Sequence, residues 1–229
     1  MMKILAIDST ATSASAAILE DSKIVSSSFL NVGLKHSSTL LCLVESTLEN
    51  ASLKISDIDM FAVNVGPGSF TGVRIGVSLV KGLAFTNDCK CISVSTLESM
   101  AYNYKSVDCY VLAVMDARCN QVYSALFEIN CGEVKRIKDD DALLIDDIDF
   151  IPDDKTVYIV GDGAEIVFSK LSDKFSNIRL SAENLVYQNA VSTALCAFDN
   201  VDKAVSSNDI LPLYLRPSQA ERNLKSKEI

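Results

Sequence analysis

The segment Gly66-Pro67-Gly68-Ser69-Phe70-Thr71-Gly72-Val73-Arg74-Ile75-Gly76 follows an apolar run at 61–65 and opens a long apolar helix predicted over 70–85. Glycine and proline in a strand-to-helix turn permit close backbone approach and dihedral angles closed to other residues. Ser69 stands where a helix N-cap is expected, with unpaired backbone N–H groups just beyond it. Two functions fit this pattern. A glycine loop at a helix N-terminus cradles an anion or a nucleotide phosphate. The same spacing also makes a tight turn that feeds a close-packed helix. The residues alone leave both open, and the candidate anion contacts are Asp8, Gly66, Gly68, Ser69 and Arg118.

The helix that follows is apolar nearly all round. Val73, Ile75, Val77, Leu79, Val80, Leu83 and Ala84 cover most of its circumference, and Arg74, Ser78 and Lys81 form one narrow polar stripe. Such a helix is buried on more than one side. One side packs on its own sheet. The other is covered within the chain or meets a second subunit, where Gly72 and Gly76 would permit a close helix crossing. A helix predicted over 38–50, with Leu40, Leu41, Leu43, Val44 and Leu48 at helical spacing and Glu45 and Glu49 on its other side, is the natural neighbour.

Composition narrows the class. The chain has 229 residues, 48% of them apolar, which supports a real core in one or two domains. No apolar stretch approaches the roughly 20 residues that span a bilayer, and the first apolar run meets Asp8 too soon for a signal peptide, so a cytoplasmic location is expected. Seven cysteines, an odd number and several within apolar runs, are expected to be reduced, buried core residues. Cys89 and Cys91 lack the second pair a zinc site needs. A net charge of −9 without a basic cluster argues against tight RNA binding by the chain alone.

A strand pattern occurs twice. Strands are predicted at 3–7, 13–19 and 23–29, the first ending at Asp8, followed by the helix at 38–50, a strand at 61–65, the glycine turn, a strand at 91–94 and a helix at 96–104. The pattern restarts at 110–115 and ends at Asp116, 108 positions on, with strands at 121–128 and 133–137 around the turn Asn130-Cys131-Gly132. A strand at 156–160, the turn Gly161-Asp162-Gly163 and helices at 163–175 and 181–198 complete it. The stretch 139–154, with eight aspartates, reads as a solvated connection, and the polar tail from about 217 as a surface segment. The expected architecture is α/β, with two lobes at 1–104 and 105–229, each a mixed sheet flanked by helices.

An acid closing the first strand of each lobe resembles the actin-like (ASKHA, RNase H-like) ATPase fold of actin, hexokinase and the 70-kDa heat-shock proteins. There the fingerprint is Asp, one residue, then a glycine that admits a phosphate. Here Thr10 holds the glycine place after Asp8, and Arg118 holds it after Asp116. Side chains at both places fill the space that phosphate oxygens need. The single histidine, His36, has Leu40 where a second metal-ligating histidine of one helix would stand, and no nucleophile elbow accompanies it. No catalytic residue and no metal ligand is assigned.

These residues together resemble the TsaB (YeaZ) family of bacterial tRNA threonylcarbamoyladenosine biosynthesis proteins. The likeness runs through Leu5-Ala6-Ile7-Asp8, His36-Ser37, the 66–76 segment, Val94-Ser95-Thr96-Leu97, Met115-Asp116-Ala117-Arg118 with Val122-Tyr123, and Leu213-Tyr214-Leu215-Arg216. The resemblance implies a non-catalytic partner and activator of a TsaD-like transferase that modifies adenosine 37 of tRNA, with a TsaE-like ATPase completing the system. It implies a partner surface on the two helices, here Leu41, Cys42, Glu45, Glu49, Thr71, Arg74, Ile75 and Ser78, and a homodimer when the partner is missing. It implies tRNA contact only through that partner, and no cofactor beyond a nucleotide at the subunit boundary. A small-molecule kinase of the same superfamily is the alternative, with a glycoprotease-like hydrolase behind it. The C-terminal lobe is shorter and more acidic than the resemblance leads one to expect.

Overall fold

In the computed structural model, residues 1–33 and 36–217 are described. The chain is built around strand β1 (Lys3–Asp8), which lies between β2 (Ala14–Glu20), antiparallel, and β4 (Met60–Asn64), parallel. A strand buried on both faces needs apolar residues at every position rather than alternation, and Ile4, Leu5, Ala6 and Ile7 are all fully buried. Strand β3 (Lys23–Leu30) pairs antiparallel with β2, and β5 (Lys90–Val94) parallel with β4, giving the order β3-β2-β1-β4-β5.

Helices α1 (His36–Asn50) and α2 (Phe70–Asn87) cover one face of this sheet, closing a core of Leu5, Ile7, Leu40, Val44, Phe61, Val63, Val73, Val77 and Val80. Helix α2 points its full-length apolar face inward, and Ile75, Leu79 and Leu83 are partly buried against the same core. Helix α3 (Thr96–Ala101) is capped by the Ser95 hydroxyl, which accepts from Glu98 N–H at 3.3 Å.

The second sheet repeats the first. Strands β6 (Cys109–Arg118), β7 (Gln121–Asn130) and β8 (Glu133–Leu144) form an antiparallel meander, and β9 (Val157–Val160) and β10 (Ile178–Leu180) add in parallel. The order β10-β9-β6-β7-β8 is the first sheet's order read from its other edge. Helix α4 (Ala164–Leu171) packs on it, and the short α5 (Glu183–Val186) precedes α6 (Ala190–Asp199). The doubled pattern of the sequence is thus a doubled actin-like topology.

Two helices cross over. Helix α3 follows β5 in the chain but buries Leu97, Met100 and Ala101 against the second sheet. Helix α6 lies beyond residue 105 yet packs Ala190, Ala194 and Ala197 on Ile4, Ala6 and Ala17 of the first sheet. Each sheet is therefore closed by a helix from the other half of the chain.

Several expected boundaries move. The segment 181–198 is not one helix: Gln188 turns inward to donate to Ser13 Oγ at 3.1 Å, and Asn189 restarts the helix by accepting from Ser192 N–H at 3.0 Å. The expected helix at 163–175 stops at Leu171, and that at 96–104 finishes as a 3-10 turn over Tyr102–Tyr104. Strand β8 runs on to Leu144, so part of the acidic stretch is strand and not loop. As an edge strand it keeps one row in water, which suits charge, and two register shifts opposite Ser124–Phe127 absorb the irregularity. Asp140 is bonded, accepting from Ser95 Oγ at 2.6 Å and pairing with Arg136. Cys91, Cys109 and Cys196 are buried as expected, whereas Cys42, Cys119 and Cys131 are exposed. Cys119 and Cys131 sit in hairpin turns at φ 54° and 50°, where the chain must be at the surface. The tail beyond Pro217 lies outside the described residues.

The glycines of α2 separate two physical situations. A Cβ at Gly72 would overlap the Ser9 carbonyl oxygen, while one at Gly82 would meet nothing within 4 Å. We expect Gly72→Ala to destabilise the fold by more than about 2 kcal/mol through backbone displacement. Gly82→Ala should stabilise it by about 0.5–1 kcal/mol through helix propensity. Urea unfolding of both variants checks the pair.

Candidate functional site

Strand β1 carries Asp8 to the end of the first sheet, and the hairpin Ser9–Ser13 turns back beneath the 66–76 segment. The glycines of that segment face this hairpin. Gly68 lies against the Thr10 carbonyl and Gly72 against the Ser9 carbonyl, and a Cβ at Gly76 would come within 2.6 Å of Ser9 Oγ. Ser69 N–H donates to Thr10 C=O at 2.7 Å, and Ser9 Oγ donates to Gly72 C=O at 2.9 Å. Gly66, at φ +117° and joined to Pro67 by a cis peptide bond, faces the Leu213 carbonyl, 2.5 Å from where its Cβ would be. Gly66, Gly68 and Gly72 thus admit protein backbone and Gly76 admits the Ser9 side chain, so Gly72 and Gly76 receive the hairpin in place of a crossing helix.

Asp8 is fully buried. Its Oδ1 accepts from Thr10 Oγ1 at 2.7 Å and from Asn64 Nδ2 at 2.8 Å, while Oδ2 has no partner. Burial pushes its pKa above the ordinary carboxylate value, against the downward pull of the Asn64 and Thr10 hydrogen bonds. Thr10 was marked in the sequence as filling the glycine place, whereas Asn64 was not marked. The place of Thr10, two residues after the acid, was the signal for the first, and nothing local marks the second.

A cleft of about 480 Å³ lies between the lobes, lined by Thr10, Ala11, Thr12, Gly33, His36, Gly68, Ser69, Met115, Asp116, Ala117, Arg118, Tyr123 and Asp162. It gathers Gly68, Ser69 and Arg118 of the candidate anion contacts, whereas Asp8 and Gly66 do not line it. Arg118 is 83% exposed and pairs with Asp116 at 3.3 Å. Asp162 accepts from the Asp116 backbone N–H at 3.0 Å, and burial and then the Asp116 charge push its pKa up. The glycine turn after β9 therefore supplies a carboxylate where the corresponding turn after β4 supplies Ser69. His36 Nε2 lies 2.6 Å from the Ala11 carbonyl, and its Nδ1 has no hydrogen-bond partner among the described residues.

The cleft is a poor match for a metal–triphosphate. Asp8, which closes the first strand, is fully buried and does not line the cleft, Thr10 stands in the glycine place of the first hairpin, and Asp116 and Asp162 face one arginine that Asp116 already pairs. A second groove of about 520 Å³ runs between β2–β3 and α5–α6, lined by Phe29, Tyr187, Val191 and neutral hydroxyl and amide side chains, with Glu183 its one ionisable acid.

Helices α1 and α2 lie side by side on the first sheet. Leu41 (47% exposed), Cys42, Glu45 and Glu49 stand on the outer face of α1, and Thr71, Arg74 and Ser78 on that of α2, with Ile75 half-buried. Phe85, 75% exposed at the far end of α2, was not selected from the sequence. The segment after α6 returns along α2: Lys81 Nζ donates to Asn208 C=O at 3.1 Å, Ile210 is fully buried, Leu213 N–H donates to Val65 C=O at 2.7 Å, and Arg216 Nη1 reaches Ala117 C=O at 3.2 Å in the second lobe.

Fold and site define an actin-like two-lobed protein whose first hairpin is packed against its glycine segment. The family described as TsaD, tRNA N6-adenosine threonylcarbamoyltransferase, matches residues 31–214. The chain belongs to this family and, within it, to the TsaB (YeaZ) group. It is 28% identical over 225 residues to the tRNA threonylcarbamoyladenosine biosynthesis protein TsaB of Bacillus subtilis, covering 96% of each chain. It is 40% identical over 129 residues to the TsaB of Escherichia coli, covering 56% of this chain and 55% of that one. The solved structure of YeaZ from Pseudomonas aeruginosa superimposes with a TM-score of 0.81 at 26% identity, over 94% of this chain and 100% of that one. Among the described residues no helix is long and apolar enough to cross a membrane.

The Asp8 environment gives a signed expectation. Because the folded-state pKa is raised, the native chain holds a proton that the unfolded chain has released, so Asp8 costs stability increasingly as pH rises through the folded value. Asp8→Asn removes that slope while keeping an acceptor for Thr10 and Asn64. The melting-temperature difference, variant minus native, should grow from pH 4 to pH 8. A difference that shrinks over that range would mean a lowered pKa.

Proposed function

We propose that the chain is a non-catalytic subunit that pairs with, and activates, a TsaD-type transferase in the formation of threonylcarbamoyladenosine at adenosine 37 of tRNA. The observation that carries this is the packed first hairpin: Asp8 fully buried and bonded to Thr10 and Asn64, with Gly68 and Gly72 set directly on the Thr10 and Ser9 carbonyls. The family supplies the reaction, and the outer face of α1 and α2 supplies the docking surface. The net charge of −9 supports contact with tRNA through the partner and not directly.

Pairing orders the partner's own site, and any nucleotide belongs to the boundary between the two subunits. A TsaE-like ATPase joins the pair, and a second copy of the chain takes the same face when the transferase is absent. The protein works in the cytoplasm, where tRNA is modified. Burial of a few large apolar side chains at about 1.5–3 kcal/mol each is enough to hold such a complex.

Ile75→Glu places a charge in the half-buried centre of that face and should weaken pairing more than about tenfold, with loss of the modified nucleoside. His36→Ala should leave both nearly unchanged. Co-purification with the transferase subunit and nucleoside analysis of tRNA test the two together. Undiminished modification with Ile75→Glu would reject the docking face. Calorimetry of the isolated chain should show no saturable Mg-ATP binding below about 1 mM, and tight binding there would favour the kinase.

A further inference from the structure

Arg74 is held in an uncommon way for a surface arginine. Its guanidinium carbon lies 3.9 Å from the centroid of the Phe70 ring, and its Nε donates to the Tyr214 hydroxyl at 2.8 Å. Tyr214 in turn stacks on Phe70, with ring centroids 4.5 Å apart and planes 25° apart. Phe70 is one turn before Arg74 on α2, while Tyr214 comes from the returning segment, fixed just upstream by Leu213 N–H on Val65 C=O. Two aromatic rings and one hydrogen bond therefore fix the plane of an exposed cation.

The bond uses Nε alone and leaves Nη1 and Nη2, a fork that matches a carboxylate in two parallel hydrogen bonds. Elsewhere on the surface the arginines that face acids are neutralised: Arg118 by Asp116 and Arg136 by Glu98 and Asp140. Among the described residues Arg74 makes no ion pair, in a chain with nine more negative than positive charges. Ordering a long side chain in advance removes an entropy cost from whatever binds it.

We propose that Arg74 is a pre-set anchor for one carboxylate of the protein that docks on α1 and α2, and that Tyr214 is its positioning residue. This rests on the docking face proposed above and names the chemistry that face recognises: an apolar segment carrying an Asp or Glu opposite Arg74. The occupant is protein and not RNA, because the same face carries Leu41 and Ile75 and, on α1, the carboxylates Glu45 and Glu49, which repel a phosphate chain.

The test is the affinity of the full chain for the TsaD-type subunit of its own organism, titrated at low and high salt. Arg74→Ala and Arg74→Lys should each weaken binding about tenfold or more, since lysine offers neither the fork nor the stack. Tyr214→Phe, which keeps the stacked ring and loses only the hydroxyl, should weaken it about threefold. Arg74→Ala should also flatten the salt dependence. Arg74→Glu should be restored by exchanging one partner Asp or Glu for Lys. Thermal unfolding confirms that each variant is folded.

Arg74→Lys binding within twofold of the native chain overturns the assignment, as does failure of every partner exchange to restore Arg74→Glu. A loss of tRNA affinity with pairing unchanged overturns it in favour of a phosphate. If Ile75→Glu breaks the complex while the Arg74 variants do not, the docking face stands and the anchor falls. If the Arg74 variants weaken binding and Ile75→Glu does not, the anchor stands without that face.

Discussion

The backbone carbonyls of Ser9 and Thr10 occupy space that only glycine leaves free on the segment above them. Gly72 faces the first and Gly68 the second, and Ser69 N–H closes the contact on Thr10. The end of β1, the turn and the first turns of α2 therefore move as one body. The acid at the strand end, Asp8, is fully buried and accepts from the Thr10 hydroxyl. In the second lobe Gly161 sits equally close to the Val114 carbonyl, so both repeats use a glycine after their fourth strand to bring loop and sheet together.

Helix exchange makes the two lobes interdependent. Helices α3 and α6 touch each other between the sheets, each covering the sheet that the other's half of the chain built. A hinge between the halves would have to slide both helices, and the returning segment adds a further tie where Arg216 meets the Ala117 carbonyl. The cleft is accordingly a gap between braced bodies. Its charged groups are paired with one another: Asp162 holds the Asp116 backbone N–H and Arg118 the Asp116 carboxylate.

Most of the fold was legible because its signals are local. Unbroken apolar runs ending in Asp8 and Asp116 marked the central strands, and their recurrence with the same turn-strand-turn sequel marked the doubled topology. What escaped was decided across the chain. Gln188 breaks the expected 181–198 helix because its amide finds Ser13, 175 positions away. Strand β8 continues through Asp139–Asp141 because β7 offers partners and the edge offers water. Asn64 on Asp8 and Tyr214 on Arg74 are likewise long-range pairs without a local mark. The glycine motif illustrates the reverse case: its shape was readable, but whether phosphate or backbone fills the shape depends on the hairpin that Thr10 brings up.

The face of α2 left in water is chemically divided. Its exposed positions run Thr71, Arg74, Ser78, Gly82, Phe85, polar at the start and aromatic at the end, while Val73, Val77, Val80 and Ala84 on the inner side are already fully covered by the sheet. The monomer thus does not need a partner to complete its core. Docking free energy on this face is separate from folding free energy, so a complex formed there dissolves without unfolding either member. A pre-set arginine adds selectivity to such a surface at little cost in ordering, and a mixed apolar and charged face can exchange one partner for another. The subunit role proposed above has that physical requirement: such a protein must come on, hold the partner's site in order, and come off intact.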